Sequence, residues 1–220
     1  GTGRWARIVA PLVGNLNCID PSEKAINEAK ENLSNLDNCK FICDDIKGSR
    51  IKDFSQDFGY SLGVLHHIPD TQGALSESVK KLKLGAPFLA YFYYSFENKP
   101  VWYRIIWKIS DILRKCLSKA PFSVKYFISQ IVAIFIYYPF ARICRIFDNL
   151  SINVTNFPLN YYKDKSFYVM RTDALDRLGT KLEKRFSKSQ ITEMFIHAGL
   201  DRIEFSSTPP FWCAIGFRKN

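Results

Sequence analysis

Gly1-Thr2-Gly3-Arg4-Trp5-Ala6, followed seventeen residues after Gly3 by Asp20 at the end of the run Asn15-Leu16-Asn17-Cys18-Ile19, decides how this chain is read. Glycines where a strand turns into a helix let backbone N–H groups approach a ligand closely, and a helix N-terminus favours anionic groups. An acid at the end of the following strand is placed to accept both hydroxyl protons of a ribose. Taken alone, the two glycines fit an ordinary tight turn equally well. Joined to Asp20 they predict a nucleotide-binding α/β unit met after its first strand. The chain is accordingly expected to be a piece of a longer protein, with its activity belonging to the parent.

Working outward, the pattern is helical from Arg4 to Leu12, a strand runs to Asp20, and a second helix runs from about Pro21 to Leu33. Pro21 and Ser22 suit a helix start, and Ile26, Ala29 and Leu33 fall on one face. The alternation repeats as strand Lys40–Cys43, a polar loop with Asp44 and Asp45, strand Tyr60–Leu65, helix Thr71–Leu82 and strand Pro87–Tyr94. Ser187-x-x-Gln190 is a capping-box signature before a helix Ile191–Ala198, Gly199 is a natural stop, and Pro209-Pro210 marks a turn between strands Arg202–Ser206 and Phe211–Phe217. This order predicts an α/β, Rossmann-like, doubly wound and mostly parallel sheet, with ligands beyond the carboxyl ends of the strands. Residues 1–94 and 187–220 form the core in this reading, and residues 95–186 are a helical insertion after the fifth strand of the complete sheet.

Composition narrows the class further. Hydrophobic residues are 47% and charged residues 24% of the chain, enough for a packed core. The six cysteines are scattered, and Cys39 and Cys43 have no second pair or histidine spaced to complete a zinc site, so no metal is expected and the thiols suit a reducing compartment such as the cytoplasm. The net charge of +10 is unevenly spread: residues 95–186 carry sixteen Lys and Arg against seven Asp and Glu, so nine of the excess charges lie in that segment. Any electrostatic partner is recruited there.

Four features stand at or just beyond strand ends: the glycine turn, Asp20, Asp44-Asp45, and Gly63-Val64-Leu65-His66-His67-Ile68-Pro69-Asp70. In this set and order the chain resembles the class I S-adenosylmethionine-dependent methyltransferases, in particular the small-molecule branch with a Leu-His-His-x-x-Asp segment. The resemblance covers residues 1–94 well and 187–220 loosely. It implies that Gly1 and Gly3 accommodate the methionine portion of S-adenosylmethionine and that Asp20 holds the ribose. It further implies that Asp45 bonds the adenine amine, that Ile46 lies against the adenine ring, and that Leu62 and Gly63 run past the methionine end. Asp44 occupies a place where the family often has glycine, so a one-residue slip moves the adenine role to Asp44. Lys83-Leu84-Gly85-Ala86-Pro87 also departs from the family's Leu-Lys-Pro-Gly-Gly, at a turn away from the reacting atoms.

Methyl transfer is an in-line displacement, so the protein mainly positions the acceptor, and a hydroxyl acceptor benefits from a base. His66 and His67 are the catalytic candidates because imidazole titrates near neutral pH; the plain alternative is that both are used in packing. His197 is read as inert. A nicotinamide-dependent oxidoreductase accounts for the glycines and Asp20, but not for Asp44-Asp45 followed by the His-His segment, and no Tyr-x-x-x-Lys pair stands where a reductase would need it. A nucleic-acid substrate is disfavoured, since the Pro-Pro-aromatic signature of base-modifying enzymes is absent.

Within the insertion, Val101–Ile109 mixes aromatics and bases at near-helical spacing, and Tyr126–Ala141 is almost wholly apolar with only Ser129 and Gln130 clearly polar. Sixteen residues fall short of the ~20 that span a bilayer, and Pro139 interrupts them. The reading taken is a buried or pocket-covering helical hairpin. Its alternative is an interfacial pair that meets an anionic membrane surface through residues 99–145, which would make the protein membrane-peripheral, with a vestigial cofactor site in the extreme version. Tyr161, Tyr162, Arg171, Asp173 and Arg177 are the substrate-side candidates, against a solvated loop. The expected reaction is O-methylation of a small polar, sugar or lipid-linked acceptor.

Overall fold

The computed structural model describes residues 1–97, 99–207 and 212–219. Contacts divide the chain into two compact units, Gly1–Tyr93 with Lys188–Asn220, and Tyr94–Ser187.

The first unit opens with a short helix α1 (Ala6–Val9) that tightens into a 3₁₀ turn at Ala10–Leu12, where Pro11 cannot donate to an α-helical ladder. Strand β1 (Leu16–Ile19) follows, then α2 (Glu23–Asn32). Ser22 caps α2 by accepting from Ala25 N–H at 3.3 Å, Glu23 sits in the first turn and Lys30 in the last, and Ile26, Ala29 and Leu33 form the buried face. β2 (Cys39–Ile42) and β3 (Gly59–Leu62) lead to α3 (Thr71–Lys80), whose cap is Asp70 accepting from Gly73 N–H at 2.8 Å. β4 (Pro87–Tyr91) completes the N-terminal half.

β1 pairs parallel with β2 in the register Leu16–Cys39 to Ile19–Ile42, and β3 pairs parallel with β4. The C-terminal strands β5 (Leu200–Phe205) and β6 (Cys213–Arg218) form a hairpin whose β6 lies antiparallel on β4, giving the order β3-β4-β6-β5. The expected Rossmann-like α/β architecture is present, but the sheet is mixed: parallel pairing holds for the N-terminal strands, while a short hairpin connection forces the last two to run opposite ways. The turn expected at Pro209-Pro210 and the strand start at Phe211 lie outside the described residues.

Among the described residues, β1 and β3 share no backbone pairing and the strands fall into two sheets. Side chains join them: Asn17 Nδ2 donates to Gln56 Oε1 at 2.9 Å, and Phe58 and Tyr60 pack on the cluster of Ala6, Ala10, Leu16 and Leu33. Burial in that seam pushes the Cys18 thiol up to about 11 and the Tyr60 hydroxyl up to about 12. On the other sheet, α3 supplies Ala74, Leu75 and Val79, and α8 (Lys188–His197) supplies Ile191 and Phe195, the latter edge-on to Phe92 at 6.4 Å. Gly199 stops α8 at φ +87°, as its position implies.

The second unit is helical. It holds α4 (Val101–Leu117), α5 (Phe122–Val132), one turn of π-helix at Ala133–Tyr137, α6 (Tyr138–Asn149) and α7 (Phe167–Gly179). The segment from Phe122 to Asn149 is one continuous helix of 28 residues. Pro139 does not break it: the wide turn just before absorbs the clash and the missing donor. α7 packs on both α4 and α5, and Ala133, Tyr137 and Ala141 meet Met170 and Ala174. The three alanines are what let the helices approach. The expectation of a buried hairpin is corrected here, because the large residues of these helices point away from that core: Phe127, Ile134, Phe135, Ile105 and Ile109 are all exposed.

Candidate functional site

The first turn takes a backbone conformation that favours glycine. Gly3 has φ +88°, and a Cβ there would meet Leu33 Cδ1 at 3.0 Å, so a side chain is disfavoured by conformation and by space. Asp20 follows β1, and its own N–H donates to Ile42 O at 3.1 Å, which holds the ends of β1 and β2 level. Its Oδ1 accepts from Ser22 N–H at 2.8 Å, orienting the carboxylate back over the start of α2, while its Oδ2 lies against the Gly1 amino group. Thr2 O accepts from Asn32 Nδ2 at 3.0 Å, so α2 also fixes the glycine turn from below.

The loop after β2 is built on carboxylates. Asp44 Oδ1 accepts from Asp45 N–H and Asp45 Oδ1 from Gly48 N–H, each at 2.8 Å. A Cβ at Gly48 would stand 2.3 Å from Asp44 Oδ1, so a larger residue there would push the Asp44 carboxylate aside. Asp45 is exposed and Ile46 half-buried, the arrangement that a base edge and a ring face would need. Lys47 Nζ reaches Asp70 Oδ2 at 3.7 Å, so this loop lies beside the residues that follow β3.

β3 ends at Leu62, three residues earlier than its sequence suggests, because Gly63 takes φ +80° and turns the chain into a 3₁₀ turn, Leu65–His67. Gly63 N–H still donates to Tyr91 O at 3.2 Å. That turn separates the two histidines. His66 is fully buried and stacks on Tyr93 with centroids 3.9 Å apart, while His67 is half-buried and meets Tyr93 edge-on at 5.7 Å. His66 is thus enclosed by its neighbours, and His67 is the more accessible of the two. The tyrosine pair Tyr91 and Tyr93 was missed in the sequence, where alternation along the Pro87–Tyr94 run was the available signal.

Gly1 thus meets Asp20 at the carboxyl end of β1, Asp45 and Ile46 follow β2, and Leu62, Gly63 and His67 stand at the end of β3, with Lys47 and Asp70 linking the last two loops. A turn with no room for a Cβ, a strand-end carboxylate and a half-buried apolar residue beside an acid fit an adenosyl ligand with an aliphatic charged tail.

The five substrate-side candidates behave differently. Tyr162 Oη donates to Asp173 Oδ2 at 3.0 Å, and burial, with the nearby Tyr137 and Asp173, pushes its hydroxyl well above the usual range. Arg171 donates to Gln130 Oε1 and, at 3.0 Å, to Tyr126 Oη; Arg177 donates to Ser110 Oγ at 3.2 Å. Tyr162 and Asp173 thus tie the turn before α7 to α7 itself, while Arg171 and Arg177 tie α7 to α5 and α4; their partners lie some ten to seventy residues away in sequence, beyond the reach of local pattern. Tyr161 is exposed beneath Lys165, whose Nζ sits 5.2 Å from the ring centroid. Among the described residues no cluster of three potential metal ligands occurs.

With the geometry in hand, comparison places the fold. Residues 1–90 match the family model described as a methyltransferase domain. A Bacillus halodurans structure assigned as a methyltransferase aligns with a TM-score of 0.55 at 14% identity, covering 93% of this chain and 62% of that one. The complex between the Haloferax volcanii Trm112 methyltransferase activator and its assigned methyltransferase aligns at 0.55 and 15% identity, over 100% of this chain and 79% of that one. No protein of curated function matches the sequence. The chain spans less than two thirds of the Bacillus halodurans protein. What the likeness establishes is the Rossmann-like methyltransferase fold.

Proposed function

We propose that the protein of which this chain is part transfers a methyl group from S-adenosylmethionine to an oxygen of a small polar, sugar or lipid-linked acceptor. The observation that carries the reading is the convergence, at one end of three strands, of the Gly3 turn, Asp20, the Asp45 loop and His67, within the segment that matches a methyltransferase domain. Bound S-adenosylmethionine supplies an electrophilic methyl on a sulfonium. Asp20 accepts from ribose hydroxyls, and its orientation is already set by Ser22 N–H. Asp45 accepts from the adenine amine through its outward carboxylate oxygen, and Ile46 lies against the ring. Gly3 and Gly63 keep side chains out of the space the methionine tail needs. His67 accepts the acceptor's hydroxyl proton, with His66 and Tyr93 stacked behind it as a rigid backing.

Calorimetric titration with S-adenosylhomocysteine and, separately, with NAD tests this. Binding of the first and not the second is expected. NAD binding in its place, or binding of neither by the complete protein, sinks the assignment in favour of an oxidoreductase or a vestigial site respectively.

A further inference from the structure

The helices of the second unit are inside out. On α4 the residues turned toward the rest of the unit are Tyr103, Trp107, Asp111, Arg114 and Ser118; Arg114 is 2% exposed and donates to Asp111 and to Thr180 O. The face turned to solvent carries Trp102, Ile105, Ile106, Ile109, Ile112 and Leu113, all exposed, at the 3–4 residue spacing of a single helical stripe. The long helix repeats the inversion. Its buried stripe is Ser129, Ala133, Tyr137, Ala141 and Cys144, while Phe127, Ile131, Ile134, Phe135 and Tyr138 stand outward, Phe135 at 71% exposure. The helix is long and apolar enough to cross a membrane, yet only 28% of its most apolar stretch is buried, which a soluble core helix would not show. Water is the wrong neighbour for these faces, since contiguous exposed apolar surface marks an interaction site.

The charges identify the neighbour. Arg104 and Lys108 run as an exposed stripe along one side of the apolar face of α4, continued by Lys115, which also pairs with Asp111, and Lys119, Lys125 and Arg145, the last 4.0 Å from Asp164, flank the apolar stretches at the helix ends. A second copy packed by symmetry would set such basic flanks against each other. An anionic phospholipid surface accepts both features, with isoleucines and phenylalanines in the acyl boundary and lysines and arginines at the headgroups. We propose that this unit docks the protein on an anionic phospholipid membrane through the outward faces of α4 and the Phe122–Asn149 helix. This surface is independent of the cofactor reading, and vesicle binding requires no nucleotide.

The test is flotation of the full chain with phosphatidylcholine vesicles and with mixed phosphatidylcholine–phosphatidylglycerol vesicles, at low salt and at about 1 M salt, where screening acts over only ~3 Å. Flotation with the anionic vesicles, reduced by salt and accompanied by a blue shift of tryptophan emission through Trp102, is expected. Ile105→Asp with Ile109→Asp alters only exposed positions and should lower partitioning at least tenfold, checked against an unchanged circular dichroism melt. Arg104→Gln with Lys108→Gln should lower it about fivefold per residue at low salt. Absence of flotation with anionic vesicles, flotation undiminished in both double variants, or a stable dimer that the isoleucine variants dissociate would each overturn the proposal.

Discussion

Asp20→Asn isolates the cofactor assignment from the fold that carries it. In the structure one carboxylate oxygen of Asp20 accepts from Ser22 N–H at 2.8 Å, and α2 then starts at Glu23 under its own Ser22 cap. Asparagine keeps that accepting oxygen, so the start of α2 is preserved. What it loses is the negative charge and the second acceptor, the oxygen that lies against the Gly1 amino group and that the proposed function assigns to a ribose hydroxyl. A charge-assisted hydrogen bond contributes about 1.5–3 kcal/mol. The side chain is 19% exposed, so water screens part of this and the lower figure applies, an affinity loss of about tenfold. Calorimetric titration of S-adenosylhomocysteine gives the affinity, and a thermal melt of the same sample should move by less than a degree or two, equivalent to about 0.5 kcal/mol. Equal affinity for variant and parent would refute the ribose role. So would a loss that tracks a lowered melting point, since it would then report damage to α2 rather than to a ligand contact.

The Asp111 carboxylate supports a pH-dependent prediction. Burial pushes its carboxyl up, but hydrogen bonds from Lys115 and Arg114 outweigh that and hold it below the usual value. The stabilisation is fully present above the unfolded value of about 4 and is lost as pH falls through the folded value. Asp111→Asn keeps an accepting oxygen and the Thr180 O contact but removes the charge beside Arg114, 2% exposed, and should cost about 2 kcal/mol at neutral pH; as pH falls below about 4 the gap between variant and parent should close, and a constant gap would contradict the assignment. His67→Gln, assayed with S-adenosylmethionine and a panel of hydroxyl acceptors, should lower turnover about a hundredfold while leaving S-adenosylhomocysteine affinity unchanged. An equal effect on affinity would assign His67 to cofactor binding instead.

Much of the first unit was legible in the residues because its signals are local. Ser22 and Asp70 stand at helix starts, Gly199 at a helix stop, and Asp20 at a strand end, and each is read from neighbours within four positions. The alternation of apolar strands with amphipathic helices settled the α/β class for the same reason. The candidate site was legible only in outline: the sequence offers His66 and His67 as equals, and the turn after Gly63 buries one against Tyr93 and leaves the other half-buried. The direction of the last two strands likewise depends on which strand β6 joins, a choice made by packing across the whole sheet. In the second unit the composition gave the apolar length and the basic excess but not their facing. Which side of a helix is inside depends on its neighbours, and α7 packs on the Ala133, Tyr137 and Ala141 stripe and leaves the isoleucines and phenylalanines outward. Sequence determined that these helices carry an apolar face, through periodicity alone; tertiary structure decided that the face is unpartnered, because only the packing of α7 shows which stripe has already been used.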